Sequence, residues 1–557
     1  MESNTTLTSP KVTNFSTFAS NDTLRLEEST EKNEDAPVPR DFRFWGVFVA
    51  LAVSSFTSAL DLTAVSTALP VIVNDLKGSE FVWVASAYAL CSTAFLPMSG
   101  GLAQVFGRRS VMLVSLFLFG LGSILCGAAP SLNFLIAGRE LVVQGLGGGG
   151  ITALTQIIVS DLVSLQERGT FNGLVVLAWA IASFIGPVIG GALAEGGAWR
   201  WLFYLNIFTS AISAILVLLL LRLKTPEGTI KEKLGRMDWI GNFLVIAASS
   251  SCIIALTWGG VQYSWSSPKV LGPLIVGIIG LGIFFFYEAN YATYPIVPFK
   301  LLSNVTGLSG YLQTFISAIV LIGAVYYIPV YFQACLGRSP IQSGVDIFAL
   351  GFILAPMNVV TGLTVTLSKR YRPQLWLGWA VIMISAGLLS TLHATTSRSA
   401  ALGFEALMGI GLGMIISGTY FPVLAPLPVS ENAHALAFFI FVRNFGQVWG
   451  VTIGSTILQN YLTRNLPATF IGAFPQGSAV AYSVIPLLDK LPPTLAAETR
   501  EAFAAGLSLF WKVIIGVGGT GLLTSLLMRH IPLHAATDEK WGVAQSENKP
   551  NAADEKV

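Results

Sequence analysis

The chain has 557 residues, 53% of them hydrophobic and only 11% charged, with a mean hydropathy of +0.68. Soluble globular proteins carry about 25% charged residues, so this composition excludes an ordinary water-soluble protein and calls for lipid as the surrounding medium. The net charge of +2, from 32 basic and 30 acidic side chains, lacks the concentrated basic face of a nucleic-acid binder.

Residues 1–43 form a polar, acidic segment (Glu27, Glu28, Glu31, Glu34, Asp35) with no secretory pattern, expected to be a disordered cytosolic tail. From Phe44 onward the chain is a series of apolar runs. A bilayer core of about 30 Å needs roughly 20 helical residues, and only helices satisfy every backbone amide within their own segment. The expected fold class is therefore an all-α integral membrane protein with about fourteen transmembrane helices. Their centres lie near residues 56, 90, 120, 146, 181, 211, 248, 278, 320, 355, 382, 412, 448 and 518. The stretch Phe470–Leu488 is broken by Gly472, Pro475, Gly477 and Pro486 and is assigned to a non-cytosolic loop, 461–507.

Spacing divides the chain into 44–222, a six-helix bundle; 223–238, a charged cytosolic linker; 239–287, two inserted helices; and 310–529, a second six-helix bundle. Residues 534–557 form a second polar tail. One set of loops carries Arg40 and Arg43, Arg108 and Arg109, Arg168, Arg222 to Arg236, Lys300, and Lys369 to Arg372, whereas loops of opposite parity carry few cations. Cations concentrate on the cytosolic side, which puts both termini in the cytosol and leaves the sequons at Asn4, Asn14 and Asn21 unused.

Several residues stand out along this framework. Asp61 lies some 16 residues into the first span, and Arg139 enters the fourth from the opposite side, at similar depth. Intramembrane charge points to function by default. The two are expected to face one cavity and exchange protonation-dependent contact, or else to form an ion pair that only joins two helices. Gly100, Gln104, Gly107, Arg108 and Arg109 form a short basic loop after the second span, either a conformational switch or a topology anchor. Gly145 to Gly150 reads G-x-G-x-x-G, but an apolar helix surrounds it and no βαβ unit does, so helix packing is expected and nucleotide binding is not. Gly186-Pro187 followed by Gly190 and Gly191 is expected to bend the fifth span and admit a neighbour. Gln144, Trp179, Tyr326, Tyr327, Asn358, Asn444 and Gln447 are candidate pathway residues. The aromatics among them, with Phe184 and Trp449, would form a pocket for planar ligands or serve as packing. The four cysteines and four histidines have no metal spacing. No phosphate loop, H-E-x-x-H or nucleophile elbow is present, so no enzyme, metal or cofactor is expected, and energy would come from a proton gradient.

Taken in order, these motifs resemble the major facilitator superfamily. Leu60-Asp61-x-Thr63 with Leu69-Pro70, Gly100 to Arg109, Arg139-(x4)-Gln144-Gly145, Gly186-Pro187-x-x-Gly190-Gly191, Trp199 to Asn206, Ser339-Pro340 and Arg443 to Gln447 look like the fungal fourteen-span drug:proton antiporter branch. The resemblance implies a multidrug or mycotoxin efflux pump of the plasma membrane, with the vacuolar membrane as an alternative. It would exchange protons for small amphipathic molecules by alternating access, without an obligate protein partner. A proton-coupled importer of a nutrient such as a basic amino acid or siderophore, and a non-transporting membrane sensor, are the alternatives. Gln104 stands where the superfamily normally has an acid, and Val105 replaces a frequent basic residue.

Overall fold

The computed structural model describes residues 42–76, 82–140, 144–165, 167–221, 229–260, 263–467, 470, 485, 488 and 491–533. Of the two expected tails only Phe42 and Arg43 are described, as the start of a helix, and 222–228 and most of the 468–490 stretch lie outside these residues. The described chain is helical: α1 (Phe42–Leu76), α2 (Val82–Ala94), α3 (Leu96–Phe106), α4 (Arg108–Gly127), α5 (Leu132–Glu140), α6 (Gln144–Leu162), α7 (Arg168–Glu195) and α8 (Arg200–Leu220) make the first half. After α9 (Ile230–Gly235) come α10 (Trp239–Trp258) and α11 (Pro268–Asn290), then α12 (Lys300–Ser303). The second half contains α13 (Val305–Ala334), α14 (Pro340–Asp346), α15 (Phe348–Ser368), α16 (Arg372–Leu389), α17 (Arg398–Gly418), α18 (Tyr420–Leu424), α19 (Asn432–Asn465) and α20 (Pro493–Leu526).

Among the described residues, 12 helical stretches are long and apolar enough to cross a membrane. The other two expected positions, near 90 and 382, hold α2 with α3, and α16. The first of these is interrupted at Phe95, where Pro97 sits in the first turn of α3 and cannot donate to the preceding turn. The 461–507 loop is shorter than expected. Helix α19 continues to Asn465 and α20 already begins at Pro493, because Leu495-Ala496-Ala497-Glu498 and its continuation are strong helix formers. The linker likewise contains α9, closed by a capping box in which Thr229 and Glu232 bond each other's backbone amides.

The pairing of helices repeats between the halves. In the first, α1 packs along α7, and α4 against α6 and α8; in the second, α13 packs along α19, and α16 against α17 and α20. Helices α10 and α11 pack mainly on each other, and α10 also touches α2, α3 and α19. The halves meet through α3 with α19 and α7 with α15, and both crossings use glycine. A Cβ at Gly100 would lie 2.8 Å from Ala437 Cβ and 3.0 Å from the Ala433 carbonyl oxygen, and one at Gly173 would lie 2.8 Å from Val359 Cγ2. The halves are thus closed on each other at the end of the bundle that carries Gly100.

Candidate functional site

Three points fix how α1 and α8 lie together. At one end, Asp75 accepts from the Trp199 indole and from Arg200, each at 3.0 Å; these two donors hold its carboxyl below the ordinary carboxylate range, the indole bond being the larger cause. In the middle, Asn206 Nδ2 donates to Asp61 Oδ1 at 2.6 Å. At the other end, Gly46 lies against the Leu220 side chain. The helices therefore run antiparallel along their whole length, and Asp61 sits well inside the bundle.

Asp61 is the centre of a buried polar cluster drawn from five helices, α1, α4, α5, α6 and α8. Arg139 Nη2, on α5, donates to Asp61 Oδ2 at 3.2 Å, with side-chain exposures of 1% and 0%. Gln144 Nε2, on α6, donates to Asp61 Oδ1 and to Ser123 Oγ on α4, both at 3.1 Å. The Arg139 guanidinium also lies over the rings of Tyr88 and Phe203, 5.3 and 5.8 Å from their centroids. The two charges that the sequence placed at equal depth are in direct contact. They are sealed by protein, however, and do not line an open cavity. A buried ion pair is retained at a large desolvation cost that only good geometry and extra hydrogen bonds offset. Here the carboxylate receives three bonds, while Arg139 Nε and Nη1 and Asn206 Oδ1 have no partner among the described residues.

The glycine run explains how α6 reaches this position. A Cβ at Gly147 would lie 2.5 Å from the Phe119 amide nitrogen and 2.6 Å from the Ser115 carbonyl on α4, while one at Gly149 would lie 2.5 Å from the Ser92 carbonyl on α2. Glycine lets α6 press on two neighbours at once. The G-x-G-x-x-G spacing serves packing.

In the short basic loop, Gly107 has φ of 87°, the left-handed region that favours glycine. The turn brings Arg108 Nε to 2.9 Å from Asp161 Oδ2 on α6 and its Nη1 to 3.1 Å from the Ala103 carbonyl. Arg109 Nη2 bonds the Leu218 carbonyl at 2.6 Å. Gln104 Nε2 reaches the other half, donating to the Ser430 carbonyl at 3.3 Å.

The remaining candidates separate. A Cβ at Gly186 would collide with Thr63 of α1, so this glycine admits the neighbour, whereas Gly191 faces open space. Gly190 is buried. Helix α7 runs without interruption through Pro187, whose side chain, like that of Phe184, lies outside the described set. Tyr327 is buried in the second half, donating to the Val451 carbonyl at 2.8 Å and packing on Phe510. Trp449 packs on Phe315 and Phe445, while Trp179 and Tyr326 are 42% and 48% exposed. Tyr327 and Trp449 thus take part in packing, the alternative reading for these aromatics. Asn358 is buried, and Asn444 and Gln447 are half-buried. No local pattern pointed to Ser123, Tyr88 or Asn206 as members of the Asp61 cluster, since Asp61 and Asn206 stand 145 residues apart. The four cysteines are buried thiols.

A sequence model of the Major Facilitator Superfamily matches residues 51–451. The chain is 36% identical to "Efflux pump FUS6" of Gibberella moniliformis over 92% of both chains, and 35% identical to "MFS-type efflux pump LUC4" of a Fusarium species over 96% of both. It is 35% identical to "MFS-type efflux pump MMF1" of Pseudozyma antarctica, over 95% of this chain and 99% of that one. Among solved structures, the proton:xylose symporter XylE aligns with a TM-score of 0.55 at 14% identity, covering 86% of this chain and 94% of that one. The human organic anion transporter MFSD10 aligns with a TM-score of 0.54 at 13% identity, covering 85% and 99%.

Proposed function

The chain belongs to the major facilitator superfamily, and from that premise we propose that it exports small amphipathic organic molecules, such as toxins or secondary metabolites, in exchange for protons. The observation that carries export is the end-to-end match to relatives named as efflux pumps. Proton coupling is supported by Asp61, a carboxylate sealed inside the bundle and held by Arg139, Gln144 and Asn206. A charge at such depth costs roughly 2.5–3.5 kcal/mol on insertion scales, and a contact with Arg139 that depends on the protonation of Asp61 gives that charge a use. Each proton entering would supply about 2.3 kcal/mol per 100 mV of membrane potential.

In this reading the two halves rock about a site between them. The contacts of Gly100, Gln104 and Gly173 with the second half hold the cytosolic end shut. Both termini face the cytosol and the chain resides in the plasma membrane, with the proton gradient as its sole energy source. The test is accumulation of a labelled compound panel in cells with and without the protein, and with and without an uncoupler. Lower accumulation that depends on the protein and is abolished by the uncoupler is expected. Accumulation that the protein raises, or that ignores the uncoupler, refutes the proposal.

A further inference from the structure

Below Asp61 the antiparallel register of α1 and α8 brings two polar stripes face to face. Asp61 meets Asn206, and residue numbers fall along α1 as fast as they rise along α8, as the contacts at Asp75 with Arg200 and at Gly46 with Leu220 require. Four residues further, Thr57 comes level with Ser210; seven residues further, Ser54 comes level with Ser213. These steps are about 6 and 10 Å along the axis. All four side chains are buried, at 0–4% exposure.

The two stripes differ in how they are satisfied. Thr57 and Ser54 each donate to a carbonyl one turn back in their own helix, at 2.9 and 2.8 Å, which leaves their lone pairs facing outward. Ser210 and Ser213 make no hydrogen bond among the described residues, although serine in a helix readily bonds its own backbone, as neighbouring Thr209 does. Buried hydroxyls without a partner are rare in proteins and call for a functional or solvent explanation. On α4 the neighbour of Ser210 is Gly120, where a Cβ would stand 3.9 Å from Ser210 Cβ and glycine has none. Among the described residues, the charged and titratable groups at this seam are Asp61, Arg139 and Tyr88 at its upper end and Arg109, bonded to the Leu218 carbonyl, beyond its lower end. Beyond Ser213 it is closed by Val47, Leu51 and Val217, which are buried.

We propose that the seam formed by Thr57, Ser54, Ser210 and Ser213 is a proton relay that, with intervening water, carries the proton between Asp61 and the Gly46 end of the bundle. It rests on the proton-coupled reading above and deepens it by giving the proton a route apart from the substrate's. Ser210, Ser213 and the intervening water each take a proton on a lone pair and pass on their own, while Thr57 and Ser54, whose protons stay on backbone carbonyls, accept hydrogen bonds that orient them; only O–H bonds break and form and no electron changes hands. Ser210 and Ser213, free to rotate, supply the turning donors; Thr57 and Ser54 supply fixed acceptors. The apolar layer of Val47, Leu51 and Val217 is the barrier that keeps the relay from leaking until the helices move.

The test is the double variant Ser210→Ala/Ser213→Ala in reconstituted vesicles, measuring proton-driven export and, separately, substrate-for-substrate exchange, which needs no net proton movement. Proton-driven transport is expected to fall by about tenfold, a modest share of what positioned proton-transfer groups contribute, and to show a larger solvent deuterium isotope effect because proton transfer becomes the slow step, with exchange retained. Ser210→Thr, which restores a hydroxyl, recovers part of the rate. Equal rates in the wild type and the double variant overturn the relay while leaving the coupled reading intact. Export by the wild type that ignores the proton gradient overturns both. Parallel loss of exchange and driven transport assigns the serines to packing and also overturns the relay.

Discussion

The closest crossing between the halves gives a perturbation whose size can be worked from the structure. In Gly100→Val the new Cβ would stand 2.8 Å from Ala437 Cβ and 3.0 Å from the Ala433 carbonyl oxygen, both far inside van der Waals contact. Neither obstacle is the end of a flexible side chain, so α3 and α19 must part. Overpacking of this kind costs about 1–3 kcal/mol, and here the cost falls only on the state in which the halves are closed at this end. The equilibrium is expected to shift by about 5- to 150-fold toward the opened state. The assay uses Gln104→Cys with Ser430→Cys, whose native side chain and carbonyl are hydrogen-bonded across the crossing at 3.3 Å. The four native cysteines are buried and give little background. A short bifunctional thiol reagent should link the pair efficiently in the Gly100 background and poorly with valine. Undiminished cross-linking in the valine variant, with the protein folded in detergent, would refute the argument that Gly100 sets the closure.

Three further outcomes follow from the site. Asp61→Asn leaves Arg139 buried without its counter-charge, which costs about 3–5 kcal/mol, so its thermal midpoint in detergent should fall. Asp61→Asn/Arg139→Gln should regain most of that stability and none of the proton-driven transport; a double variant no more stable than the single would contradict a direct pair. Arg108→Lys should destabilise the protein and recover less than half of the difference from Arg108→Ala, because lysine cannot reproduce the bonds to both Asp161 and the Ala103 carbonyl, as read from unfolding midpoints. Gly147→Leu should abolish the monodisperse peak in size-exclusion chromatography, since the added carbons meet the backbone of Phe119 and Ser115; normal expression and elution would show that the glycine run is not a packing surface.

What the sequence revealed and what it concealed have physical causes. The span centres were legible because lipid demands a long apolar run for each crossing, and the depth of Asp61 and Arg139 followed from a constant rise per residue. The run Leu491–Leu507 was included in the loop assigned around the glycine- and proline-broken stretch Phe470–Leu488. It carries Glu498, Arg500 and Glu501, yet it is the first part of a helix that continues past the apolar segment, where Glu501 pairs with His393 at 3.1 Å. Charge marks where lipid ends, not where a helix ends. The aromatic candidates were ambiguous for another reason. Which face Tyr327 or Trp449 presents depends on helix rotation, set by neighbours distant in sequence. Asn206 was seen only as part of a motif, since no local pattern tells that α8 will lay it against α1.

That asparagine shows why the cluster suits a carboxylate that changes its proton count. With Asp61 ionised, Asn206 and Gln144 both donate to Oδ1 and Arg139 to Oδ2, so the charge is well met. A proton arriving on Asp61 turns an acceptor into a donor, and two amide N–H groups aimed at Oδ1 then oppose it. Arginine and lysine could not adjust, having no acceptor, but an amide carries both functions and needs only to turn over. Asn206 Oδ1 has no partner among the described residues, whereas Gln144 Oε1 lies 3.7 Å from Cys126 Sγ. Asn206 therefore loses less by turning than Gln144 does, and can accept the new hydroxyl while Arg139 is released toward another acceptor. An aspartate there would add a second buried charge, and an alanine would leave the protonated acid unmet; asparagine serves both states at the same position.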